Sequence, residues 1–414
     1  MEAFHYLNQA LHCEQLPLKQ LAREQGTPLY IYSRQLLEEN YRAFDQAFAA
    51  LPHLVCYAVK ANSNLSILKL FHDLGSGFDI VSGGELFRVR QVESDPQKIV
   101  FSGVGKRISE IDYGLKTNIL LFNVESWGEL EVIQARAKSL NQTARIAFRI
   151  NPNVDPQTHR HIATGLGEHK FGVPAEETIS LYQQARTLSH VEITGISCHV
   201  GSQLTSLAPF VDAAQKILTL VRELEALGIA LKYIDLGGGL GVRYRDESPP
   251  TRRDYAQTLA GCLEGSGKVL ILEPGRTLAA DAGVLLTEVL YLKKSQERQF
   301  VIVDAGMNDL IRPGLYDAFH EIRPVEQTTA PSMAADVVGP VCETTDFLAR
   351  QRDLPAVAPG ALLAIMDAGA YGFSLSSNYN SRPRPAEVLV HSGNYQVIRK
   401  RESYEDLIRG ERRS

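Results

Sequence analysis

Several large protein classes are excluded by what this chain has little of. Only five of its 414 residues are cysteine, at positions 13, 56, 198, 262 and 342. They are odd in number, widely scattered and form no CxxC pair, which rules out a disulfide scaffold or a paired-cysteine zinc site and suits a reducing compartment. Long apolar runs are missing; stretches such as 55–59 are far too short to span a bilayer. Basic residues are not in excess: 43 Lys and Arg stand against 48 Asp and Glu, a net charge of −5, so nothing in the overall balance favours nucleic acid or an anionic membrane. The opening MEAFHYLNQALHCEQ has no basic stretch followed by an apolar one, so no secretory signal is expected. Internal repeats and Gly/Ser linkers are also absent. A hydrophobic content of 44% with 22% charged residues is that of a folded protein, not a disordered one. The expectation is a cytoplasmic protein of two or three domains, with neither membrane nor nucleic acid as partner.

What is present is an alternation of short apolar runs with longer helix-period stretches. The predicted strands are VCYAVK (55–60), GFDIVS (77–82), IVFSG (99–103), ILLFNV (119–124), RIAFRINP (145–152), EITGISCHVG (192–201), YIDLGGG (233–239) and VLILEPG (269–275). The clearest predicted helix covers 209–227, where Phe210, Ala213, Ile217, Leu220, Leu224 and Leu227 recur every three or four residues. Pro209 stands at its first position and Gly228 just past its end. Apolar runs without strict alternation suit parallel strands covered on both faces. Eight such units predict a (β/α)₈ TIM-like barrel over 34–276. After 276 the pattern changes to VLLTEVLYLKKS, QFVIVDAG, ALLAIMDAG and AEVLVHSG between Pro, Gly and Asn turns, which predicts a C-terminal mostly-β domain. The N-terminal strand PLYIYS (28–33) is expected to complete it, so the second domain takes 1–33 and 277–414.

Polar residues gather at the C-terminal ends of the predicted barrel strands: Lys60, Asp79, Ser82, Arg149, His199, Gly237, Gly238, Gly239 and Glu273. That face carries the active site in barrel enzymes. A lysine leaving an apolar strand can form a Schiff base with a carbonyl, although a lone lysine there also reads as one that has reached solvent. Three successive glycines let backbone N–H groups approach an anion, or simply make a tight turn. Glu273 in LEPGR forms an ion pair with Arg276, or holds a pyridine nitrogen protonated while Arg276 grips a carboxylate. His199 is a core histidine, or a flat ring stacked on a planar cofactor with Ser202 donating to its phosphate. The loop HRHIATGLGEHKFG (159–172) has three histidines, but their spacing matches no common zinc site, so it reads as a glycine-containing lid and no metal is expected. In CETTD (342–346), Cys342 and Glu343 read as a proton donor and a cation-binding carboxylate, or as a buried thiol beside a solvated acid.

Together, YAVKANSN, FDIVSGGEL, FSGVGK, RINPNVD, HVGSQ, DLGGGLG, EPGR, GPVCETTD and AYGFSLSSNYNSRPRPAEVLV occur in an order that resembles the fold-type III pyridoxal phosphate decarboxylases. These are alanine-racemase-like barrel enzymes, and the resemblance runs from about residue 25 to 400. It implies pyridoxal 5'-phosphate as cofactor, with Lys60 holding it and His199 stacked on its ring. It implies a phosphate cradle from Ser202, Gly237, Gly238, Gly239 and the turn Glu273, Pro274, Gly275, Arg276, with Glu273 on the ring nitrogen. Arg276, and Arg312 and Tyr316 of NDLIRPGLY, resemble residues that hold a substrate carboxylate. Cys342 resembles the acid that protonates the carbanion left by CO₂ loss, Glu343 the carboxylate that receives the far amino group, and Tyr371 a residue touching cofactor and substrate. A homodimer with active sites shared across the interface is also implied, the CETTD segment reaching the partner's site.

Within that family the substrate choice turns on charge. Meso-2,6-diaminopimelate carries an amino-carboxylate at both ends. One end reacts, and the other needs cations for its carboxylate and an anion for its ammonium, which Arg276, Arg312 and Glu343 supply. Ornithine-type relatives resemble Cys-Asp where this chain has Cys342–Glu343, which turns the choice to diaminopimelate and to L-lysine as product. Decarboxylases of ornithine, lysine, arginine or carboxynorspermidine, a racemase, and a non-catalytic relative are the alternatives. The chain departs from the family's CE-[ST]-GD pattern at Thr345.

Overall fold

The computed structural model describes residues 3–154 and 170–412. Its chain divides into two compact units, one comprising Tyr41–Val242 with Ser248–Thr277, the other Met1–Asn40, Arg243–Glu247 and Leu278–Ser414.

The first unit is built on eight parallel strands: β1 (His53–Ala58), β2 (Gly77–Ile80), β3 (Ile99–Phe101), β4 (Leu121–Val124), β5 (Ala144–Asn151), β6 (Val191–Cys198), β7 (Tyr233–Asp235) and β8 (Val269–Leu272). Each pairs with the next, and β8 pairs with β1, so the sheet closes into the expected barrel. The strands are buried on both faces, with Val55, Cys56, Tyr57 and Ala58 all at 2% exposure or less. This is why their sequences run apolar instead of alternating. Helices follow the first seven strands, from Leu65–Asp73 to Arg252–Leu263.

Every predicted strand is present, but several end earlier than their apolar pattern. β1 stops at Ala58, and Lys60 sits in a single 3₁₀ turn, Val59–Ala61; β7 stops at Asp235 and β8 at Leu272. At β7 the cause is local: the Asp235 carboxylate accepts the Gly237 N–H at 2.9 Å, closing an Asx turn that leaves the ladder. The helix expected over 209–227 runs Ala208–Ala226, with Gly228 beyond it at φ +76°. Its buried stripe is Phe210, Ala213, Ala214, Ile217, Leu218, Val221 and Leu224. Leu220 is only half-buried and Leu227 is exposed, correcting the predicted face: the stripe follows the steps that stay over the barrel, and 220 and 227 fall at its edge.

The second unit is mostly β. Leu29–Ser33 pairs antiparallel with Gly283–Lys294 and parallel with Ala386–His391, so the N-terminal strand completes the sheet as expected. LYIYS is buried along its whole length because both of its faces are covered. Leu29 and Ile31 join an apolar core with Val284, Leu286 and Val388. The hydroxyls of Tyr30 and Tyr32 donate to the Asp309 carbonyl and to the buried Glu387 carboxylate. Three short strands, Phe4–Leu7, Ala10–Cys13 and Leu16–Pro17, form a separate small sheet. Among the described residues no helix is long and apolar enough to cross a membrane.

Candidate active site

The barrel strands converge on a polar layer at their C-terminal ends. Asp79 lies on β2, Asn123 on β4, Arg149 on β5, Ser197 on β6 and Asp235 on β7, while Lys60, Ser102 and Glu273 follow β1, β3 and β8. Asp79, Asn123, Ser197 and Asp235 are at most 3% exposed. Polar groups so deep must find one another. The Lys60 ammonium donates to Asp79 Oδ2 at 2.5 Å. Asn123 Nδ2 donates to Asp235 Oδ2 at 2.8 Å and lies 3.5 Å from Glu273 Oε1, which also accepts from Ser102 Oγ at 3.3 Å. Arg149 pairs with Glu125 at 2.9 Å.

This crowding of carboxylates in a dry space sets their acidity. Burial pushes the Glu273 carboxyl well above the usual range, and Asp235 and Asp79 push it the same way, against the attraction of Lys60. Asp235 rises to about 6, also through burial, with the bonds from Asn123 and Gly237 opposing. Glu85 rises to about 7 for the same first reason.

His199 follows β6 directly. Its Nδ1 accepts the Gly238 N–H at 3.2 Å, which leaves the proton on Nε2. Burial, then the nearby charges of Arg149 and Lys60, hold its pKa well below the ordinary histidine value, so the ring is neutral. Gly237 and Gly238 fit close against it, and Gly239 against Gly201. A Cβ on Gly237, where φ is +66°, would lie 2.5 Å from His199 Nδ1; one on Gly239, at φ +113°, would lie 2.5 Å from the Gly201 carbonyl; one on Gly238 would strike the Glu273 carbonyl. The N–H groups of Gly237 and Gly238 thus serve Asp235 and His199. The need for glycine at these two positions is one of close approach. Beyond β8, the Pro274 carbonyl accepts the Ala58 N–H at 3.0 Å, and a Cβ on Gly275 would meet Ala61 at 3.0 Å, so this turn packs on the Lys60 turn. Arg276 is buried and donates from Nη2 to Ser202 Oγ at 2.9 Å.

The remaining expected residues belong to the β unit. Arg312 and Tyr316 open and close a one-turn helix. A Cβ on Gly314 of that helix would sit 2.8 Å from the Thr345 carbonyl, so the CETTD turn packs against it. Asp346 organises this turn: its carboxylate accepts the N–H of Met307 at 2.6 Å and of Val341 at 2.7 Å. The Cys342 N–H donates to Asn380 Oδ1 at 2.8 Å, linking the turn to YNSRPRP. Thr345 lies outside the left-handed φ region, so the family's glycine is not required there. Cys342 and Glu343 are both exposed, which corrects the reading of a buried thiol: the turn protrudes past the strands that flank it. Tyr371 is half-buried at φ +57°.

The barrel unit therefore brings together Lys60, His199, Ser202, Gly237, Gly238, Gly239, Glu273, Pro274, Gly275 and Arg276. Ser82, also singled out, is a helix cap whose Oγ accepts the Glu85 N–H at 3.2 Å. The histidines and glycines of the expected lid, up to 169, lie outside the described residues. Asn123 and Asp235 were missed, although each is the sole polar side chain in an apolar strand, in ILLFNV and YIDL, and that isolation was the available signal.

Residues 34–280 match the family model described as "Pyridoxal-dependent decarboxylase, pyridoxal binding domain". The chain is 50% identical to the diaminopimelate decarboxylase of Pseudomonas aeruginosa over 411 residues, 99% of each chain. Its fold is similar to the crystal structure of diaminopimelate decarboxylase from Helicobacter pylori complexed with L-lysine (46% identity, TM-score 0.92, covering 95% of this chain and 98% of that one). It is similar also to the M. jannaschii diaminopimelate decarboxylase in co-complex with L-lysine (40% identity, TM-score 0.95, 100% and 98%). The residues at the barrel mouth fit the group that this family binds. Lys60 would offer a primary amine to an aldehyde and Glu273 a carboxylate to a pyridine nitrogen. Ser202 with Arg276 would offer donors to a phosphate, and the glycines keep clear a turn that any Cβ would obstruct. With barrel, polar layer and full-length similarity in agreement, the chain belongs to the pyridoxal-dependent decarboxylases and, within them, to the diaminopimelate decarboxylase family.

Proposed function

We propose that this protein removes one carboxylate of meso-2,6-diaminopimelate as CO₂ and releases L-lysine, using pyridoxal 5'-phosphate. The observation that supports this reading is the barrel-mouth cluster, in which the Lys60 charge acts on both His199 and Glu273 beside a glycine turn packed against His199. When bound, pyridoxal phosphate supplies the sink for the electron pair left on the α-carbon.

The chain's own residues do the rest. Lys60 attaches the cofactor through its amine. His199, neutral and held by the Gly238 N–H, offers a flat face to a ring. Glu273 would hold a proton at the ring nitrogen, and Ser202, the glycine turn and the Glu273-to-Arg276 turn would form the phosphate's cradle, the Gly237 and Gly238 N–H groups shaping it through Asp235 and His199, with Tyr371 meeting cofactor and substrate. Arg276, Arg312 and Tyr316 hold the distal carboxylate and Glu343 the distal ammonium, which orients the reacting end. Cys342 delivers the proton to the carbon that has lost CO₂. In this reading 34–276 is the cofactor-binding domain, while 1–33 with 277–414 contributes substrate and dimer contacts. The protein works in the cytoplasm as a homodimer whose CETTD turn serves the partner's site.

The deciding assay is CO₂ release from meso-diaminopimelate, L-ornithine, L-lysine, L-arginine and carboxynorspermidine. Turnover of diaminopimelate alone is expected; turnover of ornithine without diaminopimelate would reverse the substrate assignment. For the shared site, mixing inactive Lys60→Ala and Cys342→Ala proteins should restore part of the activity. Mixtures that stay inactive would place both groups on one chain.

A further inference from the structure

His320 lies just after the helix that carries Arg312, and its side chain is wholly buried. Its Nδ1 is 2.8 Å from the Met366 carbonyl oxygen and its Nε2 is 2.9 Å from Arg312 Nη1. A carbonyl only accepts, so Nδ1 carries the proton; a guanidinium only donates, so Nε2 offers its lone pair. One neutral tautomer satisfies both contacts. Around it, Tyr244 closes the arrangement: Arg312 Cζ lies 4.7 Å from the Tyr244 ring centroid, and the same ring meets His320 edge-on at 5.5 Å. The His320 carbonyl accepts from Arg352 Nη1 at 2.7 Å, which anchors the backbone.

Arg312 is itself only 5% exposed. A carboxylate in the place of His320 would hold the guanidinium equally well but would also neutralise it. A neutral imidazole fixes the plane of the guanidinium and adds no counter-charge of its own to the buried Asp367 carboxyl that the guanidinium already acts on. That combination suits a cation whose task is to receive an anion from outside the chain.

We propose that His320 is a positioning residue for the substrate's distal carboxylate, fixing the plane of the Arg312 guanidinium. The inference rests on the assignment of Arg312 to that carboxylate. It makes His320 a determinant of specificity for ligands that carry the carboxylate over those that lack it.

Two substitutions separate positioning from mere structure. In His320→Asn the shorter amide can keep the bond to Met366 but does not reach Arg312. In His320→Gln the longer amide can offer its oxygen to Arg312. The holoenzyme is titrated calorimetrically with L-lysine, which retains the carboxylate, and with 1,5-diaminopentane, which does not, and KM and kcat are measured for meso-diaminopimelate. His320→Asn is expected to weaken L-lysine and raise KM about tenfold, the scale of one charge-assisted contact, with kcat and 1,5-diaminopentane affinity nearly unchanged. His320→Gln is expected to stay within about threefold of the wild type on every measure. Equal weakening of both ligands, unchanged L-lysine affinity in His320→Asn, or a larger loss in His320→Gln overturns the proposal. Failure of the underlying reading looks different: wild-type enzyme inactive on diaminopimelate, or Arg312→Gln with an unaltered KM.

Discussion

Lys60 and Asp79 meet at the barrel mouth with Nζ 2.5 Å from Oδ2, the lysine side chain 40% exposed and the carboxylate fully sealed. Among the described residues the second Asp79 oxygen has no hydrogen-bond partner. The lysine thus serves two ends, an amine open to a ligand and the counter-ion of a buried acid. Lys60→Ala is expected to abolish CO₂ release and the visible absorbance of the bound cofactor. It should also destabilise the cofactor-free protein by about 1–3 kcal/mol, moderated by solvent on the lysine's open side. Adding Asp79→Asn should recover most of that stability in urea unfolding. A single variant as stable as wild type would show that Asp79 does not depend on Lys60.

Asp235 makes stability depend on pH in an unusual direction. Its carboxyl rises in the folded state from 3.8 to about 6 through burial. Between these values the folded chain's Asp235 binds more proton than the unfolded chain's, so the contribution of this group to stability is fully present below about pH 4, falls as pH rises to about 6, and is level beyond. Asp235→Asn removes this titration. In cofactor-free protein, urea unfolding should show the variant gaining on the wild type across that window. Parallel pH curves for the two proteins would contradict the buried assignment.

Gly237 should tolerate no side chain. Its φ is +66°, and a methyl group placed there would lie 2.5 Å from His199 Nδ1, which leaves no room. Gly237→Ala is expected to displace the His199 ring and lower cofactor retention after dialysis by about tenfold, read from absorbance. Normal retention would mean that the turn adapts.

Asp346 carries two backbone donors that have the same acceptor, Met307 N–H and Val341 N–H. Asp346→Ala strands both, at about 1–3 kcal/mol for each buried donor left unsatisfied. A lower Tm and a changed alkylation rate at Cys342, followed by peptide mass, are expected. Unchanged thiol reactivity would show that the turn keeps its shape without the carboxylate.

Glu343 is exposed, so its value lies in what it meets. Glu343→Gln should weaken diaminopimelate by about 1–3 kcal/mol, seen as a raised KM with stability intact. Unaltered KM and kcat would remove the ammonium-binding role.

Much of this was readable in the chain. Strands buried on both faces must be apolar throughout, so the eight barrel strands and LYIYS announced themselves. Lys60, His199 and Glu273 stood out because a polar residue is conspicuous at the end of such a run. Strand ends were less readable: at Asp235 a side chain competes with the ladder for a backbone N–H, and that competition is decided by local geometry. Within CETTD and YNSRPRP, segments that did stand out, nothing marked Asp346 and Asn380 from their polar neighbours, and His320 lies in no motif singled out from the sequence.

Sequence alone determined the alternation of covered strands and helices, the chemistry available at the barrel mouth, and the glycine turn, because burial and backbone freedom act residue by residue. Only the tertiary structure decided which donors reach which acceptors. It put Asn123 between Asp235 and Glu273, gave His199 its neutral tautomer through the Gly238 N–H, and set His320 against Arg312. Those outcomes depend on distances of about 3 Å between residues far apart in the chain, and a hydrogen bond exists or fails on that scale.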